Sequence, residues 1–198
     1  GFIDASGKLA IEPKFEFAGE FKEGIAPVRI NKKWGFINES GQIVVEPQFD
    51  EVYWFYFSEG IVPVRLNEKV GAIDKTGKFV IEPIYKFIGK FSDGVVPVRR
   101  EDKPIPGIKD YLFENWIYLD SSGKQIIDEE FFGAGSFVNG RAFAKVYADG
   151  WSLIDKTGNE VLEKQFDSFV SEDLISEGLA AVMVKDKYGY IDRNGKFV

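Results

Sequence analysis

Two copies of one short motif place an aspartate, a lysine and a hydroxyl side chain directly before a glycine. They read Asp-Lys-Thr-Gly at 74–77 and 155–158, and a related stretch reads Ser-Ser-Gly-Lys at 121–124. An aspartate in such a loop could accept a phosphoryl group, and a serine near a lysine could attack an acyl group. The same slot also reads Asn-Glu-Ser-Gly at 38–41, which lacks both the aspartate and the lysine. Because Asp, Asn and Gly in this order are typical of tight turns, we interpret all these motifs as hairpin turns and find no catalytic constellation.

The composition argues against several other chemistries. The 198 residues include no histidine and no cysteine, which removes the commonest general base and all thiol chemistry. The net charge of −7 argues against nucleic acid as a partner, because phosphate binding requires a clustered basic face. No stretch approaches the roughly 18 apolar residues that span a bilayer. We therefore expect no enzymatic activity, no metal or cofactor, no nucleic acid and no membrane span.

Glycines recur along the chain at a nearly constant spacing. One series lies in the turns described above, and the other precedes a short apolar run. The first series is Gly7, Gly41, Gly77, Gly123, Gly158 and Gly195, and the second is Gly24, Gly60, Gly94, Gly140 and Gly178. Two series that share a spacing of about 36 residues and the same longer third interval indicate tandem repeats. The repeats cover 1–23 (partial), 24–59, 60–93, 94–139, 140–177 and 178–198 (partial), as one repeat domain over 1–198.

Each repeat contains three short runs of β-branched and aromatic residues. In the repeat at 24–59 they lie at 25–29, 34–38 and 43–46, and they are here named the first, second and third strand. Short links between them predict an antiparallel meander with the second strand in the middle. The predicted fold is all-β, a tandem array of about five three-stranded antiparallel units. An open superhelix or solenoid is favoured because the partial repeats at the two ends do not complete each other; a closed propeller-like ring is the alternative.

Three positions in the repeat carry specific expectations about packing. Gly35 lies inside the second strand, and we expect an aromatic ring against its bare backbone. Pro27 has no N–H to donate, so we expect the first strand at a sheet edge or with the donor side of the proline unpaired. Arg29, Trp34 and Glu46 are expected in one row across the sheet. The favoured interpretation is an ion pair flanking a ring, and the alternative is one of a series of ligand pockets.

Two departures from the regular repeat are candidate binding surfaces. The linker between the third strand of one repeat and the first strand of the next is two residues longer before Gly60. A second departure inserts about twelve residues at 101–113. The candidate contact residues are Tyr53, Trp54 and Tyr56 in the linker, and Pro104, Pro106, Tyr111 and Phe113 in the insertion. Insertions in repeat proteins often map to the binding face, and a tolerated hairpin extension is an equal alternative.

The repeat resembles a known family. The run Lys-Trp-Gly-Phe-Ile-Asn at 33–38, the Glu-Pro pair at 46–47 and Glu-Gly-Ile-Ala-Pro-Val-Arg at 23–29 resemble the WG-repeat family, including its KWG type. The resemblance covers nearly the whole chain and is weaker where Ile117 and Ser152 replace the glycine. The family is widespread in bacteria, often in envelope or secreted proteins. The resemblance therefore implies a scaffold within a larger bacterial protein, and it carries over no catalytic residues.

We therefore predict a non-catalytic binding or scaffold domain whose partner is another protein. The alternative is a cell-wall or carbohydrate-binding module in which the repeated Trp and Tyr side chains stack on sugar rings. The two hypotheses differ in the exposure of the rings. Stacking on sugars requires tryptophan faces in solvent, whereas scaffold tryptophans are packed inside the repeats. The chain starts at Gly1 rather than Met, which adds to the expectation of a longer protein.

Overall fold

All regular structure in the described residues is β-strand. The computed structural model describes residues 1–54, 56–104, 112–147, 150–162, 166–169 and 178–198, and these contain no helix. The chain divides into an N-terminal unit over Gly1–Ile84 and a C-terminal unit over Tyr85–Val198. The predicted all-β series of small antiparallel sheets is confirmed. The open arrangement of the repeats stays a prediction.

The sheets of the N-terminal unit follow one another along the chain, and in the larger two the strands pair in sequence order. The first sheet is β1 (Phe2–Ile3) with β2 (Leu9–Ile11). The second sheet contains β3 (Phe17–Ala18), β4 (Ile25–Ile30), β5 (Lys33–Asn38) and β6 (Ile43–Phe49). The third contains β7 (Glu51–Val52), β8 (Ile61–Leu66), β9 (Lys69–Asp74) and β10 (Phe79–Tyr85).

The sheets of the C-terminal unit have shorter third strands. One contains β11 (Phe87–Ile88), β12 (Val95–Arg99) and β15 (Trp116–Asp120), and a hairpin joins β13 (Lys103–Pro104) to β14 (Leu112–Phe113). The remaining sheets are β16 (Gly133–Ala134), β17 (Arg141–Tyr147) and β18 (Gly150–Asp155), followed by β19 (Ser168–Phe169), β20 (Leu179–Val184) and β21 (Lys187–Asp192). In this unit the third strand is reduced to isolated bridges such as Leu119 with Gln125 and Ile154 with Glu160.

The linker forms a two-residue strand that pairs with the first strand, and this additional strand of the sheet was not predicted from the sequence. In the sheet that contains β4, β5 and β6 this strand is β3, where Ala18 pairs with Val28 of β4 and the Gly19 N–H donates to the Pro27 carbonyl at 2.9 Å. The first strand therefore lies inside the sheet, and its expected edge position is wrong. A residue in an antiparallel ladder turns its N–H and C=O to the same side. The donor side of Pro27 thus faces the short linker strand, and pairing with β5 loses no hydrogen bond.

Gly35 lets the backbone of the third strand approach the second strand closely. A Cβ placed on Gly35 would lie 2.5 Å from the Val45 carbonyl oxygen and 2.7 Å from the Pro47 nitrogen. The register between β5 and β6 shifts at this point, so Pro47 occupies an irregular stretch of an outer strand, where a missing N–H is best tolerated. The expectation of an aromatic ring against Gly35 is wrong, because its neighbour is backbone.

The same close approach recurs at Gly71, where a Cβ would lie 2.7 Å from the Ile81 carbonyl oxygen and 2.8 Å from the Pro83 nitrogen. At Gly189 the neighbour is a ring, that of Phe197, at 3.2 Å. Where Ile117 and Ser152 replace the glycine, a side chain occupies this space, and those are the repeats whose third strand is reduced to bridges. The third strand is regular beside Gly35 and Gly71, whereas the last repeat keeps Gly189 and its third strand is also reduced to a bridge, that of Ile191 with Phe197.

The Asp-Lys-Thr-Gly motif forms a hairpin turn, as predicted. The Asp74 Oδ1 atom accepts hydrogen bonds from the Thr76 hydroxyl at 2.6 Å, the Thr76 N–H at 2.8 Å and the Lys78 N–H at 3.1 Å. The hydrogen bond from the Thr76 hydroxyl is the main reason why the pKa of Asp74 is lowered. Gly77 has a φ of 85°, a conformation that other residues enter only with strain. The aspartate thus serves the backbone of the turn.

Candidate interaction surfaces

Trp34, the tryptophan of the second strand at 33–38, is packed within its sheet. It lies opposite Arg29 in the β4–β5 register and is 8% exposed. Its ring meets that of Phe17 from the linker in an edge-to-face contact at 5.2 Å. Corresponding edge contacts join Trp116 to the Phe87 ring at 5.8 Å and Trp151 to a linker ring at 4.9 Å. These tryptophans therefore contribute mainly to packing inside their sheets.

The acidic partner of Arg29 comes from the linker. The Nε atom of Arg29 lies 3.9 Å from the Glu16 carboxylate, whereas Glu46 is exposed. Placing Glu46 in the row was wrong, because the register shift in β6 brings Phe49 opposite Trp34 instead. The predicted pairing of Arg29 with Trp34 is confirmed.

A cavity of about 400 Å³ opens beside this row. It is lined by Arg29, Trp34, Asp50, Glu51 and Val52. Trp34 and Val52 are the buried apolar members, at 8% and 5% exposed. The acidic residues already have partners: Asp50 binds the Lys33 ammonium at 2.5 Å, and Glu51 forms an ion pair with Arg65. The cavity thus joins an apolar wall to a rim of paired charges.

The pKa of Asp50 follows from these contacts. The hydrogen bond from Lys33 is the main cause that lowers it, and the Asn67 N–H donates a second hydrogen bond at 2.9 Å. Asp50 therefore stays ionised at neutral pH and holds the turn between β8 and β9. Glu16 and Asp167 make the same kind of bond to turn N–H groups, at 3.1 Å to Lys32 and 2.5 Å to Lys185.

The aromatic linker residues follow directly after the cavity residues. Tyr53 is half-buried, and burial is the main cause that raises its pKa; its N–H donates to the Pro63 carbonyl at 3.0 Å. Tyr56 is also half-buried, with the Lys22 ammonium 3.9 Å from its ring centre, a cation–π contact. Trp54 is 40% exposed and has a φ of 63°. Bulky residues rarely adopt this backbone conformation.

The insertion begins and ends as a hairpin. Lys103 pairs with Phe113, and Pro104 pairs with Leu112. Pro104 is exposed, and the half-buried Phe113 ring contacts Phe132 at 4.3 Å. The other two candidates in the insertion, Pro106 and Tyr111, lie outside the described residues. The described part of the insertion fits the hairpin extension.

The ion pairs at the base of this hairpin were not predicted from the sequence. Asp102 pairs with Lys86 and with Arg99, each at 2.9 Å, and Lys103 pairs with Glu130 at 2.7 Å. The hydrogen bond from Lys86 is the main cause that lowers the pKa of Asp102. One feature of the sequence could have indicated them. Lys86 is basic, whereas the matching linker position is acidic in three other repeats, as Glu16, Asp50 and Asp167, and is Phe132 in the fourth. The insertion supplies the complementary acid.

The fold and these surfaces define a class of protein, an all-β repeat domain with small antiparallel sheets. The chain belongs to the family described as WG containing repeat, whose model matches residues 1–34, 34–69, 71–103 and 151–188. This confirms the resemblance seen in the sequence. No curated protein matches the chain.

Solved structures with similar folds include BamB from Moraxella catarrhalis, with 14% identity and a TM-score of 0.50. The match covers 91% of this chain and 59% of that one. A eukaryotic initiation factor matches with 12% identity and a TM-score of 0.57, over 90% of this chain and 52% of the other. This chain thus spans between half and three-fifths of those chains, and identities this low show the fold alone. Among the described residues, the structure has no helix with the length and apolarity needed to cross a membrane.

Proposed function

We propose that this WG-repeat domain is a non-catalytic binding module for another protein, with its contact surface centred on Trp54. The observation that carries the proposal is the state of Trp54, a large ring that is 40% exposed on a backbone with a φ of 63°. For a bulky residue such a conformation costs of order 1–3 kcal/mol, and strain of this kind clusters at functional sites; the other non-glycine residues with positive φ in the described part of the chain are all Asn or charged residues. Trp is also the residue type most enriched among the side chains that dominate protein interfaces.

The surroundings of Trp54 support this proposal. The cavity lined by Asp50, Glu51 and Val52 lies just before it in the chain, with an apolar wall and a rim of paired charges. Interfaces commonly combine an apolar centre with a polar rim. A partner side chain that enters the cavity would bury the remaining exposed surface of Trp34 and Val52. Its polar groups could then contact the charged residues of the rim. The net charge of −7 favours a partner with a basic surface.

The alternative of a carbohydrate-binding module is less well supported. Trp34 is 8% exposed and contacts Phe17, so its faces are not available for stacking on a sugar. Trp54 and Tyr188, at 40% and 69% exposed, are among the exposed aromatic residues in the described part of the chain, which also include Phe17, Tyr190 and Phe197. Co-sedimentation with purified, protein-free cell wall tests this alternative. Binding that is lost in Trp54→Ala or Tyr188→Ala would replace the protein-binding proposal with the carbohydrate one.

The main experiment compares proteins captured by the parent chain, by Trp54→Ala and by Ile84→Ala. Ile84 is the matched control, because it is a 63% exposed apolar residue in the same N-terminal unit. We expect a specific partner whose affinity falls about 30-fold in Trp54→Ala, corresponding to a contribution of about 2 kcal/mol. Ile84→Ala is expected to bind as the parent does. A partner that binds all three chains equally would show that Trp54 is not the contact surface.

A further inference from the structure

The arginine at the end of the first strand has different acidic partners in different repeats. In the described part of the chain, Arg29 has one acidic partner, Glu16, whose carboxylate lies 3.9 Å from Nε. This distance is too long for a hydrogen bond, and Nε is a buried donor without a hydrogen-bond partner. Arg99, by contrast, donates two hydrogen bonds to the Asp102 carboxylate, from Nε at 3.1 Å and from Nη2 at 2.9 Å. Arg29 therefore lacks the bound carboxylate that its counterpart has.

The sheet around Arg99 has the same arrangement of positions as the cavity beside Arg29. In both sheets a tryptophan of the second strand lies opposite the arginine. In both, the linker strand that follows begins opposite the basic residue of the next first strand. The corresponding residues are Arg99 with Arg29, Trp116 with Trp34, Phe132 with Asp50, Gly133 with Glu51 and Ala134 with Val52. The two places can therefore be compared residue by residue.

Residues of the insertion occupy this place beside Arg99. Glu114 lies 3.3 Å from Nη2 of Arg99 and accepts a hydrogen bond from the Trp116 indole N–H at 3.2 Å. Phe113 packs against Phe132, with the ring centres 4.3 Å apart. The repeat with the cavity has no insertion, and two residues separate its β4 from β5. The chain thus supplies an acidic occupant at one place and leaves a cavity of about 400 Å³ at the other.

The charges around the cavity favour a carboxylate over a cation as its occupant. Asp50 already pairs with Lys33, and Glu51 already pairs with Arg65. A cationic ligand would have to displace one of these partners. A carboxylate would instead meet the guanidinium of Arg29, whose Nε–H is unpaired. Hydrogen bonds between arginine and a carboxylate are charge-assisted and are commonly bidentate, so this contact supplies both strength and orientation.

We propose that this cavity binds an aspartate or glutamate side chain of the protein partner, with the carboxylate on Arg29 and the methylene groups along Trp34 and Val52. The inference rests on the proposed protein-binding function and specifies the side chain that enters the cavity. Asp102 on Arg99 is the model for the contact within this chain. The net charge of −7 acts over a longer range, so the partner surface around that acidic residue is expected to be basic.

The test is an NMR titration of the full ¹⁵N-labelled chain with N-acetylglutamate α-methylamide, a probe that carries one side-chain carboxylate. We expect a saturable shift of the Arg29 Nε–H signal with a Kd of order 1 mM, which is typical for a ligand of about 14 non-hydrogen atoms. The Arg65 Nε–H signal is the internal control and is expected not to shift, because Glu51 holds that guanidinium. The matching glutamine probe is expected to bind at least about tenfold more weakly, because it lacks the charged acceptor.

Variants at position 17 provide an acidic competitor within the chain. Phe17 lies opposite Arg29 in the β3–β4 register, as Glu51 lies opposite Arg65 in the next sheet. Phe17→Glu is therefore expected to weaken probe binding about fivefold relative to Phe17→Gln, if the new carboxylate occupies Arg29 in about four-fifths of the chains. Both variants lose the same ring, so any effect on folding is shared. Arg29→Gln is expected to bind at least about tenfold more weakly, and Ile84→Ala is expected to bind like the parent.

Several outcomes would overturn the proposal. They are the absence of a saturable Arg29 shift up to about 100 mM probe, equal binding of the glutamine probe, tighter binding of the matching lysine probe, and equal binding by Phe17→Glu and Phe17→Gln. A Kd of about 1 μM for the free probe would assign the cavity to a soluble carboxylate instead of a protein partner. A captured protein that is lost in Trp54→Ala and kept in Arg29→Gln would overturn this inference while the proposed function stands.

Discussion

The substitution Gly35→Ala tests the close approach of the third strand to the second. The added Cβ would lie 2.5 Å from the Val45 carbonyl oxygen, about 0.9 Å short of ordinary contact at 3.4 Å. The obstructing atoms are backbone, including the Pro47 nitrogen at 2.7 Å, so no side-chain rotation relieves the clash. β6 must therefore move away from β5, and the hydrogen bonds between them are strained.

The expected change in the free energy of unfolding of Gly35→Ala is the sum of two opposing effects. Overpacking that shifts backbone costs about 1–3 kcal/mol. Replacing glycine with alanine restricts the unfolded chain, which returns about 0.4–1 kcal/mol. We therefore expect Gly35→Ala to lower the free energy of unfolding by about 1–2 kcal/mol, which is a fall in Tm of roughly 2–8 °C for a chain of this size.

Urea denaturation followed by tryptophan fluorescence measures the effect, as a lower midpoint with an unchanged slope. Gly189→Ala is the control, because its Cβ would meet the Phe197 ring at 3.2 Å, and that ring is 41% exposed and able to rotate. We expect this variant to lie within about 0.5 kcal/mol of the parent. A Gly35→Ala chain as stable as the parent would refute the argument that the bare backbone at this position is a packing requirement.

Three further outcomes are expected. Trp34→Ala should lower the free energy of unfolding by about 3–5 kcal/mol, because a buried ring leaves a cavity, whereas Trp54→Ala should change it by less than about 1 kcal/mol; urea denaturation measures both. Folding lowers the pKa of Asp102 and of turn aspartates such as Asp74. Their ionised carboxylates therefore stabilise the folded state above the unfolded pKa of about 3.9, and this stabilisation is lost as the pH falls through the lower pKa values of the folded state. Because the chain has no histidine to titrate near pH 6.5, the urea concentration at the unfolding midpoint should be constant from pH 7 to 5.5 and should decrease below about pH 4. Urea denaturation at a series of pH values measures this midpoint. Asp102→Asn, which removes the ion pair with Lys86, should speed amide exchange in β13 and β14 while changing overall stability by less than about 1 kcal/mol.

The repeat pattern predicts most of the fold because it is encoded locally. The spacing of the turn glycines predicts the hairpins, and each of those glycines has a positive φ, from 74° at Gly195 to 86° at Gly158. The strand β3 was missed because Phe17–Ala18 is too short to show alternation, and it forms only because β4 offers it a ladder. A two-residue strand depends on its neighbour and leaves little trace in the sequence.

The packing partners were harder to predict, because they depend on register. The row of Arg29, Trp34 and Glu46 assumed regular pairing of the third strand, and the shift at Pro47 replaced Glu46 with Phe49. The bare backbone of Gly35 indicated a close neighbour but not whether that neighbour was a ring or a peptide group. Trp54 was predicted as a contact residue from linker length and ring content. Its role as a contact residue stays a prediction, and its left-handed backbone is visible only in the structure.

The proline of the first strand also sets how the sheet responds to mechanical load. β3 is two residues long and faces the side of β4 where Pro27 has no N–H, whereas β4 and β5 are each six residues long and fully in register. We therefore expect tension applied along the chain to separate β3 from β4, which share two residue pairs, before it separates β4 from β5, which share six. Loss of the β3–β4 pairing would free the linker to extend, while β4 and β5 would remain paired. The β3–β4 pairing is thus the contact between neighbouring strands of this sheet that has the fewest paired residues to lose.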